Sequence, residues 1–275
     1  MERSIIKNMV VAMGTAMATV PLTLMLRMAK DPIRMMERQS MIDVHTHILP
    51  GIDDGSRDIA CSIDMLQREA EQGVTHVICT PHFYPHHDRP EAFLSRRRHA
   101  EESLRLAMEK YTGLPEVIVG AEVFFYRGIS DSDFLNGLTF GSKPCIMIEM
   151  AGVPFQPYVY DELEAIYNRH GIIPIVAHID RYISRFRTYG IPDKLKELPV
   201  LVQANADFFL RKQTVSFAMK MLKSGYINLL GSDCHNLDKR PPNLGEAISM
   251  IESKLGNIYS RQMLAEMYDL FELKV

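Results

Sequence analysis

One arrangement recurs along the chain and restricts its fold: a short apolar run with strand character ends in a side chain able to hold a metal ion, and a helical stretch usually follows. Seven apolar runs of this kind lie between residues 41 and 235, and all but one end in such a side chain. The first, Met41-Ile42-Asp43-Val44-His45-Thr46-His47, sets two imidazoles two positions apart, and the period-two geometry of a strand points both to one face. Asp53-Asp54-Gly55 follows as a carboxylate-bearing turn that can reach back to the end of that strand. His82 then closes the run 74–80 through Pro81, Glu122 stands near the end of 115–123, Glu149 near the end of 145–150, and His178 just past 172–177. The run 200–205 ends in the uncharged polar residues Gln203 and Asn205, and 227–235 ends in Asp233 and His235. Six of the seven runs therefore carry a His, Asp or Glu at or just beyond the C-terminal end. In a parallel α/β barrel these ends converge on one mouth, whereas an open doubly wound sheet would hold its edge strands too far apart. The expected fold is α/β, an incomplete, distorted (β/α)7 TIM-like barrel with a metal-lined mouth.

The connecting segments agree. Apolar residues at helical spacing mark helices over 57–73, 91–111, 158–170, 215–224, 244–255 and 260–270, with Gly73 and Gly225 where C-terminal glycines belong. Residues 41–275 are expected to form one domain, a size within the barrel range. The formal charge of -3 argues against a duplex-binding protein, and nucleic acid is not expected as a partner. Cys61, Cys79, Cys145 and Cys234 form no C-x-x-C pair, so neither a disulfide framework nor a zinc ribbon is indicated, and a reducing cytoplasm fits.

Residues 1–40 read as an N-terminal extension. No charge occurs from Asn8 to Leu26, and cations flank the stretch, which makes it a membrane-spanning or signal-like candidate without a clear cleavage site. The favoured expectation is an upstream start choice or a dispensable extension, because Met41 opens the organised strand. Membrane contact is expected only through this segment.

The convergent set is His45, His47, Asp54, His82, Glu122, Glu149, His178, Asp233 and His235, too many ligands for one tetrahedral ion, so two or three are implied. Imidazole mixed with carboxylate suits manganese, iron or zinc. Any one of these histidines taken singly would read as a core or surface residue; their common position carries the inference. His76, His99 and His170 lack that position. His86 and His87 lack it too, and are read as solvent-exposed or substrate-loop residues. The run Arg96-Arg97-Arg98 reads as a solvated helix face. Cys234 and Arg240 form a literal C-x5-R, the spacing of cysteine-dependent tyrosine phosphatases, but no glycine lies between them and Pro241-Pro242 follows, so Cys234 is expected to be a small filler.

The motifs Asp43-x-His45-x-His47, Asp53-Asp54-Gly55, Thr80-Pro81-His82, Ala121-Glu122, Ile148-Glu149, Ala177-His178-Ile179-Asp180-Arg181-Tyr182 and Gly231-Ser232-Asp233-Cys234-His235-Asn236 occur in order over about residues 41–256. This series resembles the PHP (polymerase and histidinol phosphatase) superfamily, and within it the manganese-dependent bacterial protein-tyrosine phosphatases of capsule and exopolysaccharide synthesis. The resemblance implies a first ion on His45, His47, Glu122 and Asp233, a second on bridging Glu122 with Glu149 and His178, and a third on Asp54, His82 and His235. It also implies that Arg181 and Arg240 bind phosphate. Asp180 stands where the subgroup usually has Glu and is, with His82, a candidate general acid.

The implied reaction is attack of a metal-held hydroxide on phosphotyrosine, with a bacterial tyrosine kinase as the implied protein substrate. Two other readings stay open: a small-molecule phosphatase of the histidinol-phosphatase type, and a non-catalytic metal-binding regulator of polysaccharide assembly.

Overall fold

The computed structural model describes residues 41–271 apart from residue 153 and residues 187–189. The expectations for residues 1–40 therefore fall outside the described residues. Strand β1 (Met41–Thr46) pairs with β2 (Val74–Cys79), and β2 with β4 (Glu116–Val119). A second group runs β3 (His82–Phe83), β5 (Glu122–Phe124), β6 (Cys145–Glu149), β7 (Ile173–Val176), β8 (Leu201–Asn205) and β9 (Leu229–Gly231). Every pairing among them is parallel.

Two of the seven sequence runs are thus divided, each for a local reason. Between β2 and β3 lies Pro81, which has no N–H to offer a neighbouring strand. Between β4 and β5 lies Gly120, where an added Cβ would come within 2.4 Å of the Phe140 ring. The backbone still bridges the gaps: Thr80 N–H donates to the Thr46 carbonyl at 2.8 Å, Gly120 N–H to Cys79 at 2.8 Å, and Glu122 N–H to Pro81 at 3.0 Å. At the other edge the chain beyond β9 returns to β1. There Asp233 N–H donates to the His45 carbonyl at 2.8 Å, and His47 N–H to the Cys234 carbonyl at 2.9 Å. The result is a curled parallel sheet, in two hydrogen-bonded pieces, whose last strand meets its first.

Helices cover the outside: α1 (Ile59–Glu71), α2 (Pro90–Met108), α3 (Pro157–His170), α4 (Ile179–Phe186), α5 (Gly190–Lys196), α6 (Ala206–Leu210), α7 (Val215–Lys223), α8 (Leu244–Leu255) and α9 (Asn257–Phe271). The start of α1 is fixed by Asp58, whose side chain accepts from Cys61 N–H at 2.8 Å. Its buried stripe of Ile63, Met65 and Leu66 packs toward the sheet. The short helices α4, α5 and α6 were not expected, since none is long enough to build an apolar periodicity. Ile42, Val44, Val77, Ile78, Ile146, Ile148, Ile175 and Val176 are fully buried, as parallel strands covered on their faces require. Among the described residues no helix is long and apolar enough to cross a membrane.

Two backbone outliers mark the strand ends. His178, just past β7, has φ 32°, and Asp233, just past β9, has φ 55°. Left-handed conformations at residues other than glycine are uncommon and concentrate where a side chain must be aimed.

Candidate metal centre

The curl gathers all nine predicted ligands at one end of the sheet. His45 Nε2 lies 3.2 Å from His47 Nε2, 3.3 Å from Glu122 Oε2 and 3.6 Å from Asp233 Oδ1. His47 Nε2 lies 3.3 Å from the same Glu122 oxygen and 3.4 Å from the same Asp233 oxygen. A tetrahedron of ligands with bonds like those of zinc to nitrogen and oxygen has edges of about 3.3–3.6 Å. His45, His47 and Asp233 are therefore spaced as part of one coordination shell, with Glu122 Oε2 beside both imidazoles.

Two further groups adjoin the first. His178 Nε2 is 2.8 Å from the other Glu122 oxygen, Oε1, and 3.7 Å from Glu149 Oε1, so the Glu122 carboxylate faces two neighbouring positions. Asp54 Oδ1 lies 3.4 Å from both His82 Nε2 and His235 Nε2. His47, Asp54, His82 and His235 offer ligand atoms within 4.8 Å of one another, as do His82, Glu122 and Glu149.

The fit of divalent cations rests on atoms that the protein leaves unsatisfied. Glu122 Oε2, His82 Nδ1 and His235 Nε2 are buried and make no hydrogen bond, although His82 Nδ1 lies only 3.0 Å from Glu122 Oε2. Buried polar atoms without partners are costly, and here two of them face each other while the third faces Asp54. A divalent cation held there would supply the missing partner.

Electrostatics point the same way. Burial opposes the charge on Glu122, yet the neighbouring His45 and the bond from His178 hold its carboxyl well below the usual range. Burial likewise opposes the charge on Asp233, and His45, His47 and Arg181 hold it low. Glu149 is pushed up to about 7 by burial and by the neighbouring Glu122 charge. His235 is lowered to about 4 by burial, His47 and Arg240, which leaves a neutral imidazole suited to ligation.

Residues beyond the predicted ligands set their orientation. Asp53 Oδ2 accepts from His47 Nδ1–H at 2.8 Å, and the same carboxylate accepts from Gly55 N–H at 2.9 Å and His82 N–H at 3.0 Å. Burial would raise the Asp53 carboxyl, but His47 lowers it. Gln203 Oε1 accepts from His178 N–H at 2.5 Å and lies 3.3 Å from His45 Nδ1. Gln203 Nε2–H donates to Asn205 Oδ1 at 3.0 Å, and Asn205 Nδ2–H to Asp233 Oδ2 at 3.0 Å. The strand without a predicted ligand thus steers three of them. Its signal was the pair of polar side chains two positions apart on a buried strand.

Arg181 and Arg240 both reach the cluster through Asp233. Arg181 Nη2 pairs with Asp233 Oδ2, and Arg240 Nη2 lies 2.6 Å from Oδ1. Asp180, on the first turn of α4, accepts from Asn205 N–H at 3.0 Å and is pushed up to about 6 by burial. Cys234 points away from the cluster, fully buried, with Sγ donating to Glu69 Oε1 at 3.7 Å. Burial and the Glu69 and Asp43 carboxyls push its thiol well up, so the C-x5-R spacing builds no thiolate site. His76, beside Glu116, and His170, bonded to the Ser130 carbonyl at 2.9 Å, stand outside the cluster.

The family model for capsular polysaccharide synthesis proteins CpsB/CapC matches residues 41–268. The chain belongs to the CpsB/CapC family. Among its CpsB/CapC relatives, the tyrosine-protein phosphatase YwqE of Bacillus subtilis is 29% identical over 227 residues, covering 79% of this chain and 86% of that protein. The tyrosine-protein phosphatase CpsB of Streptococcus agalactiae is 25% identical over 241 residues, covering 82% and 96%. In three dimensions the chain matches a structure from work on YwqE of Bacillus subtilis and CpsB of Streptococcus pneumoniae, described as unique metal-dependent tyrosine phosphatases. The TM-score is 0.73 at 26% identity, over 84% of this chain and 94% of the other.

Proposed function

We propose that this CpsB/CapC chain is a metal-dependent protein-tyrosine phosphatase whose curled sheet acts as a distorted seven-unit barrel. The first ion is assigned to His45, His47, Glu122 and Asp233, the second to Glu122, Glu149 and His178, and the third to Asp54, His82 and His235. Manganese is the expected metal. The observation that carries the reading is the convergence of His45, His47 and Asp233, with the buried and unsatisfied Glu122 Oε2 beside the two imidazoles. The substrate is a phosphotyrosine protein, with a bacterial tyrosine kinase of capsular or exopolysaccharide synthesis as the expected partner and the cytoplasm as the expected site of action.

Divalent ions bound there supply the positive field that relieves repulsion between an anionic phosphomonoester and its nucleophile, and lower the pKa of bound water toward neutrality. The remaining work falls to the chain. Arg181 and Arg240, fixed against Asp233 at the cluster edge, present guanidinium N–H groups to the phosphate oxygens, for which a planar fork is suited. Asp53 and Gln203 hold His47 and His45 with the Nε2 atoms turned inward. Asp180, beside Arg181, is the candidate proton donor to the departing phenolate. Phenolate leaves readily, so its contribution is modest.

The test is metal analysis of the purified protein alongside turnover of a phosphotyrosine peptide and of histidinol phosphate, with His45→Ala as control. The expected result is bound metal, preference for the peptide, and loss of both metal and turnover in the variant. A His45→Ala protein that keeps both would overturn the assignment, and preference for histidinol phosphate would move the substrate to a small molecule.

A further inference from the structure

Beyond the clustered metal-binding side chains, two aromatic residues stand beside His82 and Glu122. Tyr84 lies two residues past His82, and Phe124 two past Glu122. Strands β3 and β5 are in register at His82↔Glu122 and Phe83↔Val123, so the next step sets Tyr84 beside Phe124. Their ring centroids are 5.8 Å apart at 49°, and the Tyr84 ring stacks on the His82 imidazole at 5.2 Å and 27°. Phe124 also pairs in register with Glu149 on β6. Both aromatics are only half-buried, unlike the core rings Phe83 and Phe93 on the same side of the molecule. Farther out, His86 and Tyr126 meet edge-on at 6.1 Å and 70°, which extends the aromatic surface along the loop after β3.

We propose that Tyr84 and Phe124 form the wall against which the substrate's aromatic ring packs, making the site selective for aryl over alkyl phosphomonoesters. The proposal rests on the phosphomonoesterase reading above and adds to it the residues that choose the ester. Two strand residues advance roughly 6–7 Å. A phosphate at the level of His82 and Glu122 therefore leaves an attached phenyl ring at the level of Tyr84 and Phe124. Offset or tilted aromatic pairs gain attraction beyond their buried area, and an alkyl ester has no ring face to offer. The arginines approach the same cluster through Asp233, and the aromatic pair approaches it through His82 and Glu122. Charge on one side thus recognises phosphate, and the rings on the other recognise the phenol.

The experiment compares kcat/KM for phosphotyrosine and phosphoserine peptides of one sequence in the wild type, Phe124→Ala, Tyr84→Leu and Tyr84→Phe, with metal per chain measured for each. The aryl-to-alkyl ratio is expected to fall about three- to tenfold in Phe124→Ala and Tyr84→Leu, mainly through KM, and to hold in Tyr84→Phe. A ratio that stays at the wild-type value in both truncations, at equal metal content, overturns the proposal. The chain has no tryptophan, so Phe124→Trp adds a single fluorophore at the wall. Phenylphosphonate should change its emission saturably, and ethylphosphonate should not. Equal responses to the two phosphonates also overturn the proposal. If the wild type hydrolyses neither peptide, the phosphatase reading fails, and the Phe124→Trp titration still decides whether this wall binds aryl groups.

Discussion

Asp53 Oδ2 sits 2.8 Å from His47 Nδ1, on the far side of the imidazole from His45, Glu122 and Asp233. The contact orients the imidazole with Nδ1 toward Asp53 and Nε2 toward His45, Glu122 and Asp233. Asp53→Asn keeps the shape but removes the charge and can turn an N–H toward Nδ1. Metal affinity is expected to fall ~10–100-fold, with turnover falling in parallel at limiting metal. Metal titration of the stripped protein checks this; wild-type affinity in the variant would show that the contact does not orient His47.

The two arginines are distinguishable from ligands by what their loss spares. Arg181→Lys and Arg240→Lys keep a positive charge but lose the planar fork, while the ligand groups stay in place. Turnover is expected to fall by about 100-fold in each, at unchanged metal stoichiometry. Loss of metal together with activity would instead place the arginines in a purely structural role around Asp233.

Cys234 offers a sharp contrast between two phosphatase chemistries. Its sulfur is fully buried against Glu69. Cys234→Ser is therefore expected to keep turnover within about threefold, because a hydroxyl can donate to the same Glu69 oxygen. Excess chelator should abolish turnover in both proteins. Turnover that survives the chelator and disappears with the serine would restore the cysteine as nucleophile.

The clustered residues were legible because most of them, Glu149, His178 and Asp233 among them, stand where an apolar run stops, although His82 and Glu122 open the short strands β3 and β5. Their supports were not. Asp53 and Asp54 are adjacent carboxylates in one turn, and nothing in the sequence says that Asp53 turns back to His47 while Asp54 faces His82 and His235. Gln203 and Asn205 were seen as a polar strand ending, but their bonds to His45, His178 and Asp233 depend on sheet curl, which is tertiary. The divisions at Pro81 and Gly120 and the short helix α4 also escaped, since apolar periodicity does not register a missing N–H, a ring packed on glycine or an eight-residue helix.

Behind the cluster, Glu69 is fully buried beside Asp43, with Oε2 making no hydrogen bond. Burial first, and the Asp43 charge second, push its carboxyl well above the usual range. A carboxyl raised on folding is protonated in both states below the unfolded value of about 4.3, so no difference exists there. As pH climbs above that value the unfolded chain ionises first, and stability falls. Glu69→Gln removes the titration. Its Tm should match the wild type near pH 4 and exceed it by several degrees near pH 8, at about 2–4 °C per kcal/mol for a domain of this size. Melting curves in chelator across this range provide the check; a Tm difference independent of pH would refute the linkage.

Gly231 tests whether the meeting of last and first strands creates the site. A Cβ there would fall 2.5 Å from His45 Cβ and 2.9 Å from His45 N, both parts of β1 rather than a movable side-chain tip. Gly231→Ala must push β9 away from β1. That strains the bond from Asp233 N–H to the His45 carbonyl and the bonds that the Asp43 carboxylate accepts from His45 and Ser232 N–H. Asp233 would then leave the 3.6 Å and 3.4 Å distances that place it with His45 and His47. Overpacking of this kind costs about 1–3 kcal/mol, so the chain should still fold while its first metal position weakens. The expected result is a Tm lowered by several degrees and loss of the tightest-bound ion, read by melting and by metal stoichiometry. Full metal content at a lowered Tm would mean that the cluster does not depend on closure between β9 and β1.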